Sequence, residues 1–415
     1  MTVSVAVVGA GNRGQSYARW VREHPDRARI VAVADPDAHR RSLVIGDGSG
    51  VREFADWREL LAAGKLADVA IVATQDRLHV EPAIALTRAG YHLLLEKPVA
   101  PTEAECREVV DAVTASGVLF AVCHVMRYMP YTDLVKEIVD SGVLGEIVSV
   151  QHLEPVGWWH AAHSYVRGPW AVEAAATPML LAKSCHDLDW LAYVTGKRIE
   201  RVSSFGGLSH FRPENRPAEA ADRCLDCPLE PTCPYSAPRL YLTTLREQGA
   251  VWPVSVITDG TDEDAVLTAL RTGRYGKCVY SGDNDVVDHQ VLAMELTGGA
   301  TATFTMTAFS EQTHRRTQIF GTHGCLDGDG EQVRVVDFRD GGVTTHDSGT
   351  RGDSNAAADH GGGDTALMDA FVRAAATGDA GHLRSGAAES LHSHLAVFAA
   401  EHARHTGTVS AVPAQ

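Results

Sequence analysis

Val3-Ser4-Val5-Ala6-Val7-Val8-Gly9-Ala10-Gly11-Asn12-Arg13-Gly14 stands at the head of the sequence. Val3 to Val8 is an apolar run broken only by Ser4, as expected of a strand buried on both faces of a parallel sheet. It passes into Gly-x-Gly-x-x-Gly and then into the helical pattern Tyr17, Trp20, Val21. After a strand and at the start of a helix, this motif is a dinucleotide-binding turn. Gly9 allows the tight turn, Gly11 lets a pyrophosphate approach, and Gly14 lets helix and strand pack closely. Asn12 and Arg13 lie in the first helical turn, where free N–H groups and the helix dipole favour phosphate.

A second strand, Ile30 to Ala34, ends at Asp35, about 20 residues beyond Gly14. A carboxylate there accepts hydrogen bonds from ribose hydroxyls and repels a 2′-phosphate, so NAD is expected in preference to NADP. Arg13 and Arg40 work against that preference. The alternation continues with a strand at 68–73, a polar loop Thr74-Gln75-Asp76-Arg77-Leu78-His79, and a helix after it. Then comes Tyr91-His92-Leu93-Leu94-Leu95-Glu96-Lys97-Pro98, a buried strand whose carboxyl end carries an acid, an amine and a rigid turn. In an open α/β sheet that end is where ligands bind. Alone, Lys97-Pro98 reads as an ordinary strand end with a surface lysine. Thr74, His79 and Glu96 are expected to line the same crevice, although His79 could equally cap its helix. Strands and helices alternating in this rhythm predict a doubly wound parallel sheet.

Gly9 to Gly14, Asp35 within Ala-Asp-Pro-Asp, Ala73-Thr74, Leu78-His79 and Glu96-Lys97-Pro98 together resemble the Gfo/Idh/MocA family. Its members are NAD(P)-dependent oxidoreductases acting mainly on sugars and cyclitols. The resemblance implies an N-terminal Rossmann domain over 1–123. A substrate-binding α+β domain with a large, mostly antiparallel open sheet would follow over 124–385. A C-terminal helix within 386–415 would pack back on the first domain. It also implies that Lys97 contacts both a substrate hydroxyl and the nicotinamide.

Arg127 and Tyr128, where the alternation ends, are candidate substrate contacts. The stretch 157–170 holds Trp158, His163 and Tyr165 among many rings, which suit the C–H faces and hydroxyls of a sugar. Its alternative is an aromatic loop packed on the core. In the helix expected over 179–191, Lys183 and His186 share a face. His186 is the candidate base for the hydroxyl proton, against a core histidine. Relatives commonly carry an acid four residues before this histidine, where this chain has Ala182. His289 is a further candidate substrate contact, with a sheet-surface histidine as the alternative.

Near 222–235, Cys224, Cys227 and Cys233 form C-x2-C-x5-C in a proline-rich insertion, and Cys278 is the choice for a fourth ligand. Four thiolates suit a structural zinc, with an iron–sulfur cluster second and loop cysteines without metal as the alternative. The segment 348–364 is rich in Gly, Asp and Ser and is expected to be a long loop. The formal charge of −16 and the lack of a basic block argue against nucleic acid or an anionic membrane as partner. No signal peptide or membrane span is evident, so a cytoplasmic protein is expected. The open sheet is expected to pair with a second copy. The functional expectation is hydride transfer between a sugar, glycoside or cyclitol carbon and a nicotinamide. A redox glycoside hydrolase that restores its cofactor is the first alternative, and a non-catalytic NAD- or sugar-sensing protein the second.

Overall fold

The computed structural model describes residues 2–48, 50–350 and 356–414. Val3–Val8 lies inside a six-stranded, wholly parallel sheet. On one side it pairs with Ala28–Ala34 and then Arg52–Phe54; on the other come Val69–Val72, His92–Leu95 and Phe120–Val122. The order reverses between Val3–Val8 and Val69–Val72, which places the switch point directly above the glycine turn. Helices cover both faces, and so Val5, Val7, Ile71, Leu93 and Leu94 are completely buried. Thr102 caps its helix, accepting from Glu105 N at 3.3 Å, and its hydroxyl donates to Glu105 Oε2 at 2.6 Å. The side chains thus meet each other in place of the full capping box that their spacing suggests.

The second sheet has nine strands and is mostly antiparallel. Its one parallel pair, Ile147–Pro155 with Thr301–Thr307, lies in the middle. Alternate side chains such as Leu292, Met294, Phe304 and Met306 turn inward against the helix Met179–Thr195. The opposite face carries exposed Phe205 and Val291. Ile199–Gly207 and His289–Leu296 pair directly, so everything between them is an excursion from the sheet.

That excursion is larger than the cysteine segment alone. Cys224 packs with Tyr241, Leu245, Val254, Val266 and Leu270 in a small core of its own. Next to Cys278, a single bridge joins Arg223 and Lys277. Two other stretches depart from their expected form. The aromatic run is helical, Trp158–Ala161 followed by a wider turn over Ala162–Val166, because its buried backbone must bond internally. Within the glycine-rich segment, 351–355 lie outside the described residues, and Ala356–Gly362 is a 3-10 helix leading into the helix Gly363–Thr377.

The last helix, Ala387–Thr406, joins the two halves. Leu391 and Leu395 enter the core of the parallel sheet. His394 Nε2 accepts from Val99 N at 2.9 Å, and His392 Nε2 accepts from Ile199 N at 3.0 Å.

Candidate active site

The glycine turn is shaped partly by the protein and partly by what it leaves open. Gly9 has φ of 92°, and a Cβ there would lie 2.6 Å from the Ala73 carbonyl. A Cβ on Gly14 would sit 2.0 Å from Gly9 O. At Gly11 a Cβ would meet nothing within 4 Å. Space beside a helix N-terminus without a side-chain cap is suited to phosphate. Asp35 Oδ2 accepts from Ala10 N at 2.7 Å, so the carboxylate braces the turn that it borders. Asn12 and Arg40 are exposed, and Arg40 lies 3.6 Å from Asp37.

Arg13 is turned inward. Its guanidinium bonds Glu96 at 2.5 Å and Asp364 at 3.0 Å, and lies 4.7 Å from the centre of the Tyr17 ring. Tyr17 donates to Glu96 Oε1 at 2.6 Å, while Glu96 Oε2 accepts the Lys97 backbone N–H at 3.0 Å. Burial alone raises the Glu96 carboxyl, but the Arg13 charge and these hydrogen bonds outweigh it and hold it below its usual range. Glu96 is therefore an ionised anchor for the Lys97 backbone. His79 is buried between two turns, with Nδ1 2.7 Å from Pro98 O and Nε2 3.1 Å from Thr74 O.

The Lys97 ammonium reaches across to the second domain and donates to Ala182 O. Ala182 lies one helical turn before His186. A backbone carbonyl of that helix thus holds the lysine. His186 Nδ1 is buried with no hydrogen-bond partner among the described residues. Burial, then the charge of Lys97, push this imidazole well below its ordinary pKa. It is neutral at pH 7, with a lone pair on one ring nitrogen.

Beneath these groups lies a buried charge network that sequence reading missed. Lys183 Nζ is 3.2 Å from Glu154, and Glu154 is 2.7 Å from Arg315. Arg315 bonds Asp187 at 2.7 Å, and Asp187 is 3.1 Å from His152. Burial raises Asp187, but Arg315 and His152 reverse the shift and keep it ionised. Burial lowers Lys183, and Glu154 only partly offsets this. Signals existed: Glu154 is a charge on the inward face of a strand, and Asp187 adjoins His186. Asp364 and His360, 2.8 Å apart, were hidden in the glycine-rich segment.

Other expected residues are dispersed. Arg127 is buried in a paired contact with Asp189, at 2.6 and 2.8 Å, and Tyr128 bonds Ser385 and the Arg384 N–H. His163 is buried against Tyr241 and Tyr275. His289 is exposed, bonded to Asp288, and alternates with Gln290, whose side chain points inward to Glu401. Tyr165 is buried, close enough to Glu154 and Asp76 for both charges to raise its hydroxyl beyond the effect of burial. Asp76 accepts from Trp170 at 3.0 Å and from Thr177 at 3.3 Å, which ties the loop after the strand Val69–Val72 to the second domain. Trp158 is half exposed and donates to Pro234 O at 3.1 Å.

Cys224, Cys227, Cys233 and Cys278 line one cavity of about 230 Å³ as free thiols. Among the described residues, no three of their sulfurs lie mutually within 4.8 Å. The four donors are gathered but not closed into a tetrahedron.

The chain is 31% identical over 215 residues to 2,7-anhydro-N-acetylneuraminate hydratase of Escherichia coli, covering 51% of this chain and 55% of that protein. It is 30% identical over 200 residues to inositol 2-dehydrogenase 2 of Saccharopolyspora erythraea, covering 48% and 56%. The chain thus spans about half the length of these curated relatives. Two solved structures share the fold over its whole extent. One is a levoglucosan dehydrogenase with NADH and levoglucosan, TM-score 0.72, 17% identical, covering 100% of each chain. The other is an Agrobacterium radiobacter oxidoreductase with NAD+, L-tartaric acid and magnesium, TM-score 0.70, 15% identical, covering 99% of each. Residues 3–124 match the family's NAD-binding Rossmann fold and residues 136–410 its C-terminal alpha/beta domain, so the chain belongs to the Gfo/Idh/MocA oxidoreductase family.

Proposed function

We propose that this protein is an NAD-dependent oxidoreductase acting on a CH–OH carbon of a sugar, glycoside or cyclitol. The observation that carries the reading is Lys97 spanning from the Glu96 anchor to Ala182 O, one turn from the unpartnered nitrogen of His186. A bound nicotinamide supplies the hydride acceptor. Gly11 and the open helix N-terminus hold its pyrophosphate, and Asp35 selects NAD over NADP through the ribose hydroxyls. Lys97 orients and polarises the substrate oxygen, and neutral His186 takes the hydroxyl proton as the C–H bond breaks. Lys183, held by Glu154, contacts a second hydroxyl, and Tyr165 closes the same wall.

The likeness to a hydratase supports a second, redox-neutral reading in which oxidation is followed by elimination, addition of water and return of the hydride. Incubation with matched free sugars, cyclitols and glycosides, following nicotinamide absorbance and products, separates the two. Stoichiometric NADH favours the dehydrogenase, whereas turnover with no net NADH and a released aglycone favours the second. Tight NAD binding with no turnover on any member of the panel would overturn both and leave a sensor.

Three narrower assignments accompany this reading. The four thiols hold a structural zinc, with an iron–sulfur cluster second. The open sheet face, with Phe205 68% exposed, pairs with a second copy of the chain. The protein works in the cytoplasm, where free thiols persist. No helix among the described residues is long and apolar enough to cross a membrane.

A further inference from the structure

A cavity of about 750 Å³ opens beside the aromatic helix, walled by Trp158, Trp159, Tyr235, Leu240, Trp252 and Pro253. Nothing in the proposed hydride transfer uses it. Two arginines border it, and both are engaged by backbone carbonyls. Arg167 donates to Lys277 O and Tyr235 O, both at 2.8 Å, and Arg239 donates to Pro231 O at 2.7 Å. Beside these two cations the lining is mostly rings and aliphatic side chains, so the cavity is a ring-lined site. Its volume lies in the range of small-molecule pockets, roughly 300–1,000 Å³.

The cavity is linked to the site around Lys97 through two rings. The His160 ring lies 5.1 Å from Trp252 on one side and 6.1 Å from Tyr165 on the other. Tyr165 belongs to the wall that holds Glu154, which pairs with Lys183. The charges of Lys183 and Lys97 reach His160 and add to burial in lowering its pKa. One short helical segment therefore shows Trp158 and Trp159 to the cavity and His160 and Tyr165 towards the reacting groups. The outer wall is built by the excursion, to which Trp158 is tied through Pro234 O.

We propose that this cavity binds the aglycone ring of a glycoside whose sugar lies against Lys97 and His186. The inference rests on the proposed function and adds a substrate class: a glycoside with a flat, apolar ring, in preference to a lone sugar or cyclitol. Flat rings stack on indole faces and gain from the contact beyond the area it buries. Two or three contacts give a preference of about ten- to a hundredfold over a glycoside that has only a methyl group in that position.

The test is calorimetric binding to the NAD-loaded protein of matched methyl and 4-nitrophenyl glycosides of several hexoses. At least one 4-nitrophenyl member is expected to bind about tenfold or more tightly than its methyl partner. That preference should fall to near parity in Trp252→Ala. It should also fall in Thr243→Trp, which fills the exposed rim of the cavity and leaves its core untouched. Equal binding within every pair, no binding of any 4-nitrophenyl member, or a preference that survives Thr243→Trp overturns the proposal. Failure of the functional reading looks different: the aryl preference persists, but no pair yields NADH or free 4-nitrophenol.

Discussion

Replacing Lys97 with methionine removes an ammonium while keeping most of the side chain's length and apolar volume. Two consequences follow from the geometry. The Ala182 carbonyl loses a charged donor, which costs about 1.5–3 kcal/mol of stability, towards the low end because Lys97 is only partly buried. The reacting oxygen loses its polarising cation, an effect comparable to deleting one preorganised donor, or roughly 10²–10³ in kcat. A third consequence distinguishes this account from simple loss of structure. Lys97 is the largest charge holding the His186 imidazole down, after burial itself, so its removal lets that pKa rise. The acid limb of the kcat/KM profile, measured by nicotinamide absorbance on the best substrate of the panel, should move to higher pH. The affinity for NAD, measured by calorimetry, should change by less than about fivefold, or roughly 1 kcal/mol, since Lys97 takes no part in the glycine turn. A variant with kcat within about tenfold of wild type and an unmoved acid limb would refute the assignment of Lys97.

Asp187→Asn removes the carboxylate shared by Arg315 and His152 while Glu154 still faces Arg315, and is expected to destabilise the protein by about 1–3 kcal/mol in chemical denaturation. A change under about 1 kcal/mol would show that the network is dispensable. Stability should decline with acid in two stages. His163, His392 and His394 are pushed down to about 3, 4 and 3, chiefly by burial, so the unfolded chain binds more protons below its own histidine pKa. The folded state is thus fully favoured above about pH 6.5, and each histidine removes up to about 1.4 kcal/mol per pH unit below that. Asp187 and Asp364, whose pKa values are depressed, add a second loss as pH falls below the ordinary carboxylate range. Stability that stayed flat between about pH 6.5 and 4.5 would contradict the buried neutral histidines. Asp35→Asn keeps an acceptor for Ala10 N and removes the charge, so the NAD-to-NADP ratio of kcat/KM should fall about tenfold or more. Elemental analysis should find one zinc per chain, lost in Cys224→Ser/Cys227→Ser; neither zinc nor iron in the purified protein removes the metal assignment.

Local signals in this chain are readable where the backbone itself performs the task. Gly9 and Gly14 are required because a Cβ would strike carbonyl groups a few residues or one strand away, and the Thr102–Glu105 cap spans a single helical turn. The same holds for the strand rhythm of the first half, for the helix bearing Lys183 and His186, and for the approach of the C-terminal helix. What could not be read is which distant side chain answers each charge. Arg13 follows the glycine turn and looks ready for a phosphate, yet two carboxylates far along the chain, Glu96 and Asp364, draw it inward. Arg127 and His163 have the chemistry of substrate contacts, but a buried ion must meet an opposite charge and a buried ring must be packed, so Asp189 and Tyr241 claim them. Glu154, Asp187 and Arg315 come from three separate elements and have meaning only once a strand, a helix and a loop are brought to one place.

The dinucleotide turn and the strand–helix rhythm of the first half were legible in the sequence alone, because each rests on short-range periodicity or backbone sterics. The second domain and the roles expected of Lys97 and His186 came instead from the family resemblance. The tertiary structure decided which charges are anchors and which remain free to react, and it assembled the ring-lined cavity beside them. Desolvation makes the difference, since the state of an ionisable group depends on how much water its neighbours remove and on which partner replaces it.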